Sequence, residues 1–294
     1  MTSPAGILLV DKPTGPTSHD VVDHVRMAAG MRRVGHAGTL DPFASGLLLL
    51  LLGSATRLCE YFVGMDKGYD ATLRLGVETD SWDPEGDVIR EDSNWCRITR
   101  EEMESALAGL RGPILQTPPV HSAKKVRGQA AHRRARRGEV VALEPVEVTV
   151  RELTLEGVEL PFVYLGVTCS SGTYVRALAR DLGRALGVGA HLTALRRTSI
   201  GPFAVSEASP PGALGNPESV REALIPSALA LEHLPAVRVG PEEAARIRQG
   251  QPLPSVGEEF AEDVPVRVLL EGDLVAMAYP KGGRLQPRKV LVRG

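Results

Sequence analysis

RVGHAGTLDPFASGLLLLLL, residues 33–52, is the stretch of this sequence that decides its fold. Residues 33–46 hold three glycines and a proline among small and polar residues, whereas residues 47–52 are all leucine. A glycine-punctuated loop between two elements is where proteins usually present functional groups. The leucine run is far shorter than the roughly 20 residues that span a bilayer. The stretch therefore predicts a functional loop that leads into a wholly apolar element.

Strand and helix signals are mixed along the remainder of the first 230 or so residues. Apolar runs bounded by turn residues predict strands at residues 6–10, at 69–77 and in two patches within 140–170. Ser18 as an N-cap and Gly30 as a stop predict one helix, and a capping box of Thr99 with Glu102 predicts a second helix that runs to Ala108. A third helix is predicted over residues 174–186, where the apolar residues share one face. A Pro/Gly-rich connection at 201–217 precedes a short helix at about 218–231.

The last part of the chain has a different texture. From about Leu234 onward, short strand-like runs alternate with turns, which predicts a small β-rich module of about 60 residues. A length of 294 residues also favours two domains over one.

The composition excludes several classes of protein. Lysine and arginine number 34 against 36 aspartates and glutamates, so the chain is no general polycation, although a local nucleic-acid site stays open. Cys59, Cys96 and Cys169 lie far apart without Cys-x-x-Cys or Cys/His pairing, which predicts reduced thiols rather than disulfides or zinc. The amino terminus lacks the basic region of a signal peptide, and no P-loop, dinucleotide or serine-hydrolase motif occurs. We expect a soluble, cytoplasmic protein.

Asp41 is the first candidate for chemistry. A carboxylate in a glycine-rich loop, ahead of an apolar element, can be held rigid and partly desolvated, as a nucleophile or base requires. An Asx-turn or a helix cap explains the same pattern, because Asp-Pro commonly opens turns and isolated loop acids are usually caps. From the pattern alone, both explanations stay open, and the cap is the commoner one.

A basic segment is the second candidate. No Asp or Glu occurs between residues 121 and 138, where seven cations stand: Lys124, Lys125, Arg127, Arg133, Arg134, Arg136 and Arg137. A solvated helix face is the plain alternative, but such faces normally mix both signs of charge. Pro118-Pro119 and Gly138 bracket the segment, which suggests an inserted arm. The pattern favours a phosphate-binding surface for nucleic acid.

Tyr174 and Arg176 form the third candidate, because they stand at a predicted strand-to-helix junction, where side chains and helix amides converge on ligands. Taken alone, this pattern is explained better by a packed tyrosine and a solvated arginine at a helix start. His36 has no second His or Cys at ligand spacing, so we expect no metal site there.

Six segments occur in one order along the chain: GILLVDKPTGPTSHDVV, RRVGHAGTLDPFASGLL, DKGYDATLRLG, TPPVHSAKKVRGQAAHRRARRG, CSSGTYVRALARDLG and HLTALRR. In content and order they resemble the TruB family of bacterial tRNA pseudouridine-55 synthases, over nearly the whole chain. The segments GDLVAMA and GRLQPRKVL resemble, more weakly, a PUA domain, a small RNA-binding pseudo-barrel.

The resemblance implies an α+β pseudouridine synthase catalytic domain over residues 1–234. This domain would have a central mixed, largely antiparallel sheet, flanking helices and a basic RNA-clamping arm at about 113–140. Residues 235–294 would form the PUA-like RNA-binding domain. His121 and His132 stand where the family commonly has tyrosines, which puts the exact contacts of the arm in question.

The resemblance also implies the catalytic residues. Asp41 matches the nucleophile, Arg176 the arginine that pairs with it, and Tyr69 the tyrosine that stacks on the flipped base and assists proton transfer at C5. His36 matches a loop histidine near the flipped nucleotide, Tyr174 and Leu195 match residues that line the uridine pocket, and Lys12 matches a motif lysine that supports the site. The isomerisation moves no electron or phosphoryl group, so it calls for no cofactor and no metal.

The activity that the resemblance implies is conversion of uridine-55 in the T-loop of tRNA to pseudouridine by base flipping. The expected partner is tRNA, contacted at the T-arm, elbow and acceptor stem. We expect a monomer with no membrane association and no obligatory protein partner. A tRNA-binding folding chaperone with secondary catalysis is one alternative, and a synthase guided by a separate RNA is another.

Overall fold

The computed structural model describes residues 5–119, 143–254 and 260–291, together with the backbone at 125–126 and 129–130. The strands of the larger part are β1 (Gly6–Lys12), β2 (Val34–His36), β3 (Ser45–Leu52), β4 (Lys67–Leu75), β5 (Val77–Thr79), β6 (Val88–Glu91), β7 (Gly112–Gln116), β8 (Lys125–Val126), β9 (Gln129–Ala130), β10 (Val146–Glu159), β11 (Phe162–Cys169), β12 (Ala190–Ile200) and β13 (Phe203–Ala204). Its helices are α1 (Ser18–Ala28), α2 (Cys59–Val63), α3 (Arg100–Ala108), α4 (Val175–Ala185), α5 (Pro217–Glu222) and α6 (Ser227–Ala230).

A nine-stranded sheet forms the centre of this part, in the order β1-β3-β12-β4-β11-β10-β7, with β2 on β3 and β13 on β12. Its pairs are antiparallel except for β3 with β12, which run parallel over two residues. Gly46 makes this pair possible, because its φ is +102° and any side chain on it would collide with the backbone of Arg197. The mixed, largely antiparallel sheet expected from the sequence is confirmed.

The leucine run forms β3, which is buried on both faces. Leu47, Leu49 and Leu51 belong to one hydrophobic cluster, and the alternate leucines belong to another on the opposite face of the sheet. Side chains of a strand alternate between its faces, so a strand covered on both sides must be apolar at every position.

Helix α1 begins at Ser18, the residue predicted to be its N-cap, so the N-cap lies one residue earlier than predicted. Thr17 is the N-cap and forms a capping box with Asp20, whereas Ser18 is almost fully buried and turns inward. Helix α3 has the predicted capping box of Thr99 and Glu102. The predicted helix at 218–231 is instead two short helices, α5 and α6.

The C-terminal part contains a five-stranded sheet in the order β14-β16-β17-β18-β15. Its elements are β14 (Ala236–Arg238), α7 (Pro241–Arg248), β15 (Leu253–Pro254), β16 (Val266–Leu270), β17 (Asp273–Lys281) and β18 (Arg284–Val290). The β-rich module expected from the sequence is confirmed, although helix α7 was not expected.

The C-terminal module packs directly against the larger part. Met277 and Leu291 join the hydrophobic cluster that contains Leu58 and Phe62. The guanidinium of Arg267 donates to three carbonyls in residues 228–234, which connect the two parts. Both apolar packing and hydrogen bonds therefore join the two parts.

Candidate functional site

The loop between β2 and β3 carries Asp41, and buried side chains hold its backbone. The hydroxyl of Ser18 accepts from the N–H of Leu40 at 2.8 Å and donates to its carbonyl at 3.0 Å. The ammonium of Lys12 donates to the carbonyls of Pro13, Pro16 and Pro42 at 2.9, 2.7 and 3.3 Å. The backbone is therefore fixed on each side of Asp41.

Arg197 holds the same loop from the opposite direction. It lies on β12, is 1% exposed, and donates to the carbonyls of Gly38, Thr39 and Leu47 at 3.1, 3.3 and 2.7 Å. A buried cation is stable only when its donors are satisfied, and here backbone carbonyls provide these partners. The loop is thus preorganised before any substrate is present.

Asp41, Arg176 and Asp83 form one ionic network. Nε of Arg176 lies 3.2 Å from Asp41 Oδ2, and its Nη2 donates to Oδ1 at 3.4 Å. Its Nη1 donates to Asp83 Oδ2 at 2.6 Å. The side chains of Arg176 and Asp83 are 5% and 4% exposed, whereas that of Asp41 is 36% exposed. Asp41 is the member of the network that an incoming molecule can reach.

The surroundings of Asp41 act on its pKa in both directions. Burial is the largest influence and raises the pKa of Asp41, while the positive charge of Arg176 opposes this rise. The negative charge of Asp83 adds to the rise, and the ammonium of Lys12 opposes it. A partly desolvated carboxylate beside a fixed cation is poorly hydrated and correctly oriented, which suits a nucleophile.

Tyr69 and Leu195 lie on adjacent strands of the sheet, in the hydrophobic cluster that also contains Leu40. Tyr69 faces Arg197 across β4 and β12, and the two side chains interact electrostatically. Burial raises the pKa of Tyr69, and Arg197 opposes this effect. The structure therefore brings Asp41, Arg176, Tyr69 and Leu195 to one region of the sheet.

His36 and Tyr174 stand at the border of this region. His36 is the last residue of β2, and burial together with the charge of Arg197 lowers its pKa, which favours the neutral imidazole. Tyr174 is the N-cap of α4, and the side chain of Gln116 bonds both its N–H, at 2.7 Å, and its carbonyl, at 3.1 Å. Gln116 is fully buried, so this clasp fixes the start of the helix that carries Arg176.

Most of the predicted arm lies outside the described residues. Lys124, Arg127, Arg133, Arg134, Arg136 and Arg137 lie outside the described residues, and so do His121 and His132. Lys125 is described only as backbone, in a short hairpin of β8 and β9. The phosphate-binding surface predicted there stays a prediction.

A cavity of 370 Å³ opens beside the site, lined by Phe43, Asp70, Tyr164, Leu195 and Arg196 among others. Within the described ranges, no cluster of His, Cys, Asp and Glu has the geometry to hold a metal ion. No described helix is long and apolar enough to cross a membrane.

Several residues of the site carry no local sequence signal of their role. Asp83 lies in a polar turn 42 positions from Asp41, and nothing in its local pattern distinguishes it from a solvated turn acid. Ser18 resembled a helix cap, and Gln116 and Arg197 showed no local signal of burial. The third candidate was correctly placed at a helix start, and Arg176 proves to be buried rather than solvated.

A largely antiparallel sheet beside a loop aspartate that pairs with an arginine of helix α4 is the arrangement that the resemblance to the pseudouridylate synthases implies. Two solved structures are similar over 98% of this chain and 85% of theirs. One is a chain of an H/ACA RNP bound to a substrate RNA containing 2'-deoxyuridine, with 26% identity and a TM-score of 0.74. The other comes from a Cbf5-Nop10-Gar1 complex, with 27% identity and a TM-score of 0.76.

The family follows from sequence comparison. The N-terminal domain model of the TruB family pseudouridylate synthases matches residues 26–175, and C-terminal models of the same family match residues 176–210 and 235–291. The tRNA pseudouridine synthase B of Thermobifida fusca is 45% identical over 96% of this chain and 97% of its own length. The tRNA pseudouridine synthase B of Pseudomonas aeruginosa is 38% identical over 98% of this chain and 96% of its own length. The chain belongs to the TruB family of pseudouridylate synthases.

Proposed function

We propose that this protein isomerises uridine-55 in the T-loop of tRNA to pseudouridine, with Asp41 as the nucleophile. The observation that carries the proposal is the 3.2 Å ion pair between Arg176 on helix α4 and Asp41, which lies on a loop whose backbone is held by buried side chains. Membership of the TruB family and relatives named tRNA pseudouridine synthase B support tRNA as the substrate.

The reaction rearranges one nucleotide without a change in oxidation state. The N1–C1′ bond of uridine breaks, the uracil turns, and a C5–C1′ bond forms; the proton on C5 leaves, and N1 gains a proton. The uridine must first leave the base stack, because its reacting atoms are inaccessible inside a folded loop. The carboxylate of Asp41 attacks C1′ of the ribose or C6 of the ring, and both routes need the ionised form.

Arg176 keeps that ionised form in place. Its two donors to Asp41 direct the carboxylate, and its positive charge opposes the rise in the pKa of Asp41 that burial causes. A charge-assisted pair with two donors also restricts rotation of the carboxylate. Arg176 thus orients the nucleophile toward the position that the flipped uridine would occupy.

The remaining pocket residues would hold the base. Tyr69 would stack on the detached uracil and take part in proton transfer at C5, while Leu195 and Tyr174 would line the uridine pocket. His36, neutral because burial lowers its pKa, would lie beside the flipped nucleotide. Lys12 would support the loop through its bond to the carbonyl of Pro42.

Binding of tRNA would use two further parts of the chain. The basic arm, at about 113–140, would clamp backbone phosphates, and the C-terminal domain, residues 235–294, would lie along the acceptor stem. We propose a cytoplasmic monomer that needs no protein partner and no cofactor. The Cbf5 chain that it resembles occurs in a complex with other proteins, so activity of this purified chain on bare tRNA is the relevant test.

The nucleophile is tested by Asp41→Asn, with Asp87→Asn as a matched control because Asp87 is an exposed acid outside the site. The assay measures tritium release from C5-labelled uridine in a T-arm hairpin, and filter binding measures affinity for the same RNA. We expect Asp41→Asn to abolish release and to retain binding, while Asp87→Asn behaves as wild type. Turnover by Asp41→Asn would contradict the assignment.

The same variant separates an enzyme from a folding chaperone. If Asp41→Asn refolds a misfolded tRNA as well as wild type does, and the refolded tRNA is fully functional, then catalysis is secondary and the chaperone alternative is favoured.

The arm is tested by neutralising Arg133, Arg134, Arg136 and Arg137 together. The slope of log affinity against log salt should then fall by about 3, since each phosphate contact contributes roughly 0.7–0.9. An unchanged slope would refute the clamp.

A further inference from the structure

Trp82 has a backbone conformation that bulky side chains rarely adopt. Among the described non-glycine residues, two have φ in the left-handed region, Trp82 at +63° and Glu271 at +53°. Tryptophan has no side-chain acceptor to stabilise this conformation locally, so neighbouring structure must hold it. The N–H of Trp82 donates to Thr79 at 3.2 Å, and its carbonyl accepts from Leu192 at 3.1 Å.

Arg180 covers the ring of Trp82. Its guanidinium carbon lies 4.1 Å from the ring centroid, within the range of a cation–π contact. Two donors to Asp181 at 2.7 Å and one to the carbonyl of Thr117 at 3.4 Å hold the guanidinium in this plane. Arg180 is 6% exposed, so the contact is largely shielded from water.

The neighbours of these two residues belong to the ionic network of the site. Arg176 precedes Arg180 by one helical turn on α4, and Asp83 follows Trp82 directly in the loop between β5 and β6. Asp83 Oδ1 also accepts from the hydroxyl of Ser81 at 2.5 Å and from the N–H of Glu85 at 3.1 Å. Helix α4 and the loop are therefore joined by an ionic contact at Asp83 and by an aromatic one at Trp82. Arg176 Nη1 also donates to the carbonyl of Ser81, in the same loop, at 3.4 Å.

Two points of attachment do what a single one cannot. The bonds of Arg176 to the Asp83 carboxylate, at 2.6 Å, and to the Ser81 carbonyl, at 3.4 Å, both fix Nη1 alone, so the guanidinium could still rotate about that nitrogen and away from Asp41. The second attachment, four residues along the same helix, removes that freedom. We infer that Trp82 and Arg180 act together as positioning residues, which keep Arg176 directed at both Asp83 and Asp41. The inference rests on the proposed function.

The test compares Trp82→Gly, Arg180→Met and the double variant. Each is assayed for tritium release from the T-arm hairpin in a single turnover, with enough protein to saturate the RNA. Glycine adopts a φ of +63° without strain, so Trp82→Gly removes the ring and leaves the backbone relaxed. We expect each single variant to slow release about 10- to 100-fold, as misplacement of a catalytic group does. The double variant should be no slower than the worse single variant, because the two residues form one contact.

Matched controls separate positioning from general destabilisation. Arg184→Met makes the same substitution one turn further along α4, where Arg184 is 58% exposed and pairs with Glu78. Glu271→Gly relaxes the other positive φ, in the C-terminal module. Both should keep the wild-type rate. Trp82→Phe keeps an aromatic face for Arg180 and should restore most of the activity lost in Trp82→Gly.

The pH profile is a readout that a merely structural role would not move. The charged and titratable groups around Asp41 are Arg176, Asp83, Lys12 and Tyr69. If Arg176 turns away, the main opposition to the burial effect weakens, so the acid limb of the single-turnover rate should move to higher pH in Trp82→Gly. RNA affinity should change less than about 3-fold, because neither residue is placed in RNA binding.

The outcomes are distinct. An inactive wild-type protein would overturn the proposed function itself. With an active wild type, an unchanged rate in Trp82→Gly, additive effects in the double variant or an unshifted pH profile would each overturn the positioning role. If Trp82→Gly does not fold, Trp82→Phe and Arg180→Lys decide: we expect the first to be near wild type and the second to be slow, and equal rates would overturn the role.

Discussion

Ser18→Ala is the variant that most directly tests how the loop of Asp41 is held. Ser18 is 2% exposed, and its hydroxyl bonds both the N–H and the carbonyl of Leu40, at 2.8 and 3.0 Å. Alanine keeps the packing and removes both bonds, which leaves two buried backbone groups without their partner. An orphaned buried polar group costs about 1–3 kcal/mol.

Because Ser18→Ala leaves two such groups, and because the surrounding structure can relax a little, we expect its free energy of unfolding to be about 2–4 kcal/mol lower than that of wild type. The entropy of unfolding of globular proteins is roughly 2.1 cal/mol/K per residue. For a chain of 294 residues, the lower free energy of unfolding therefore reduces Tm by about 3–6 °C. Because Leu40 directly precedes Asp41, we also expect the single-turnover rate of tritium release to fall about 10-fold.

Ser219→Ala is the matched control. The hydroxyl of Ser219 also bonds the N–H and the carbonyl of a single residue, Asn216, at 3.3 and 3.0 Å, but these groups are accessible to water. Water replaces the lost partners there, so the free energy of unfolding should change by less than about 1 kcal/mol. Urea unfolding measures both variants. Equal stability of Ser18→Ala and wild type would refute the reasoning.

Three further predictions concern charge. Burial lowers the pKa of Lys67 to about 8 in the folded protein, below its ordinary 10.5, so the unfolded chain binds more protons between these values and stability rises with pH there. From pH 8 to 10.5, the free energy of unfolding of wild type in urea should rise by about 3 kcal/mol relative to that of Lys67→Met. The same pH dependence of stability in both proteins would contradict this. Asp83→Asn removes the charged partner of Arg176 Nη1, so the single-turnover rate of tritium release should fall, and a wild-type rate would contradict the anchoring role of Asp83. Arg267→Met removes three bonds to the connection between the two parts; limited proteolysis near residue 235 should become faster, and an unchanged cleavage rate would show that apolar packing alone holds the boundary.

Sequence patterns predicted the elements whose signals are local. The capping box of Thr99 and Glu102, the strand at residues 6–10 and the apolar face of α4 all depend on residues within a few positions of one another. The cap of α1 was placed one residue late because Thr17 and Ser18 have similar capping chemistry. Tertiary contacts decide between the two residues: the Ser18 hydroxyl is buried and bonds Leu40, so Thr17 is the one that caps the helix.

The candidate site shows the same division. The pattern makes Asp41 and Arg176 candidates but favours a turn or cap for Asp41, and only the family resemblance implies their catalytic roles. Asp83 had no such signal, and its role arises from a contact with a residue 93 positions away. The second attachment, between Trp82 and Arg180, combines an unusual φ with a distant stacking partner, and neither is visible in a linear pattern.

By itself, the sequence determined that this protein has two parts, that residues 33–52 lead from a loop into the core, and that the candidate nucleophile lies in that loop. These features depend on composition, periodicity and motif order, which are properties of neighbouring residues. Only the tertiary structure decided which side chains hold the loop and how Arg176 is shared between Asp41 and Asp83. Both depend on the pairing of β3 with β12 and on the packing of α4 against the sheet, and such long-range contacts form only when the whole chain is folded.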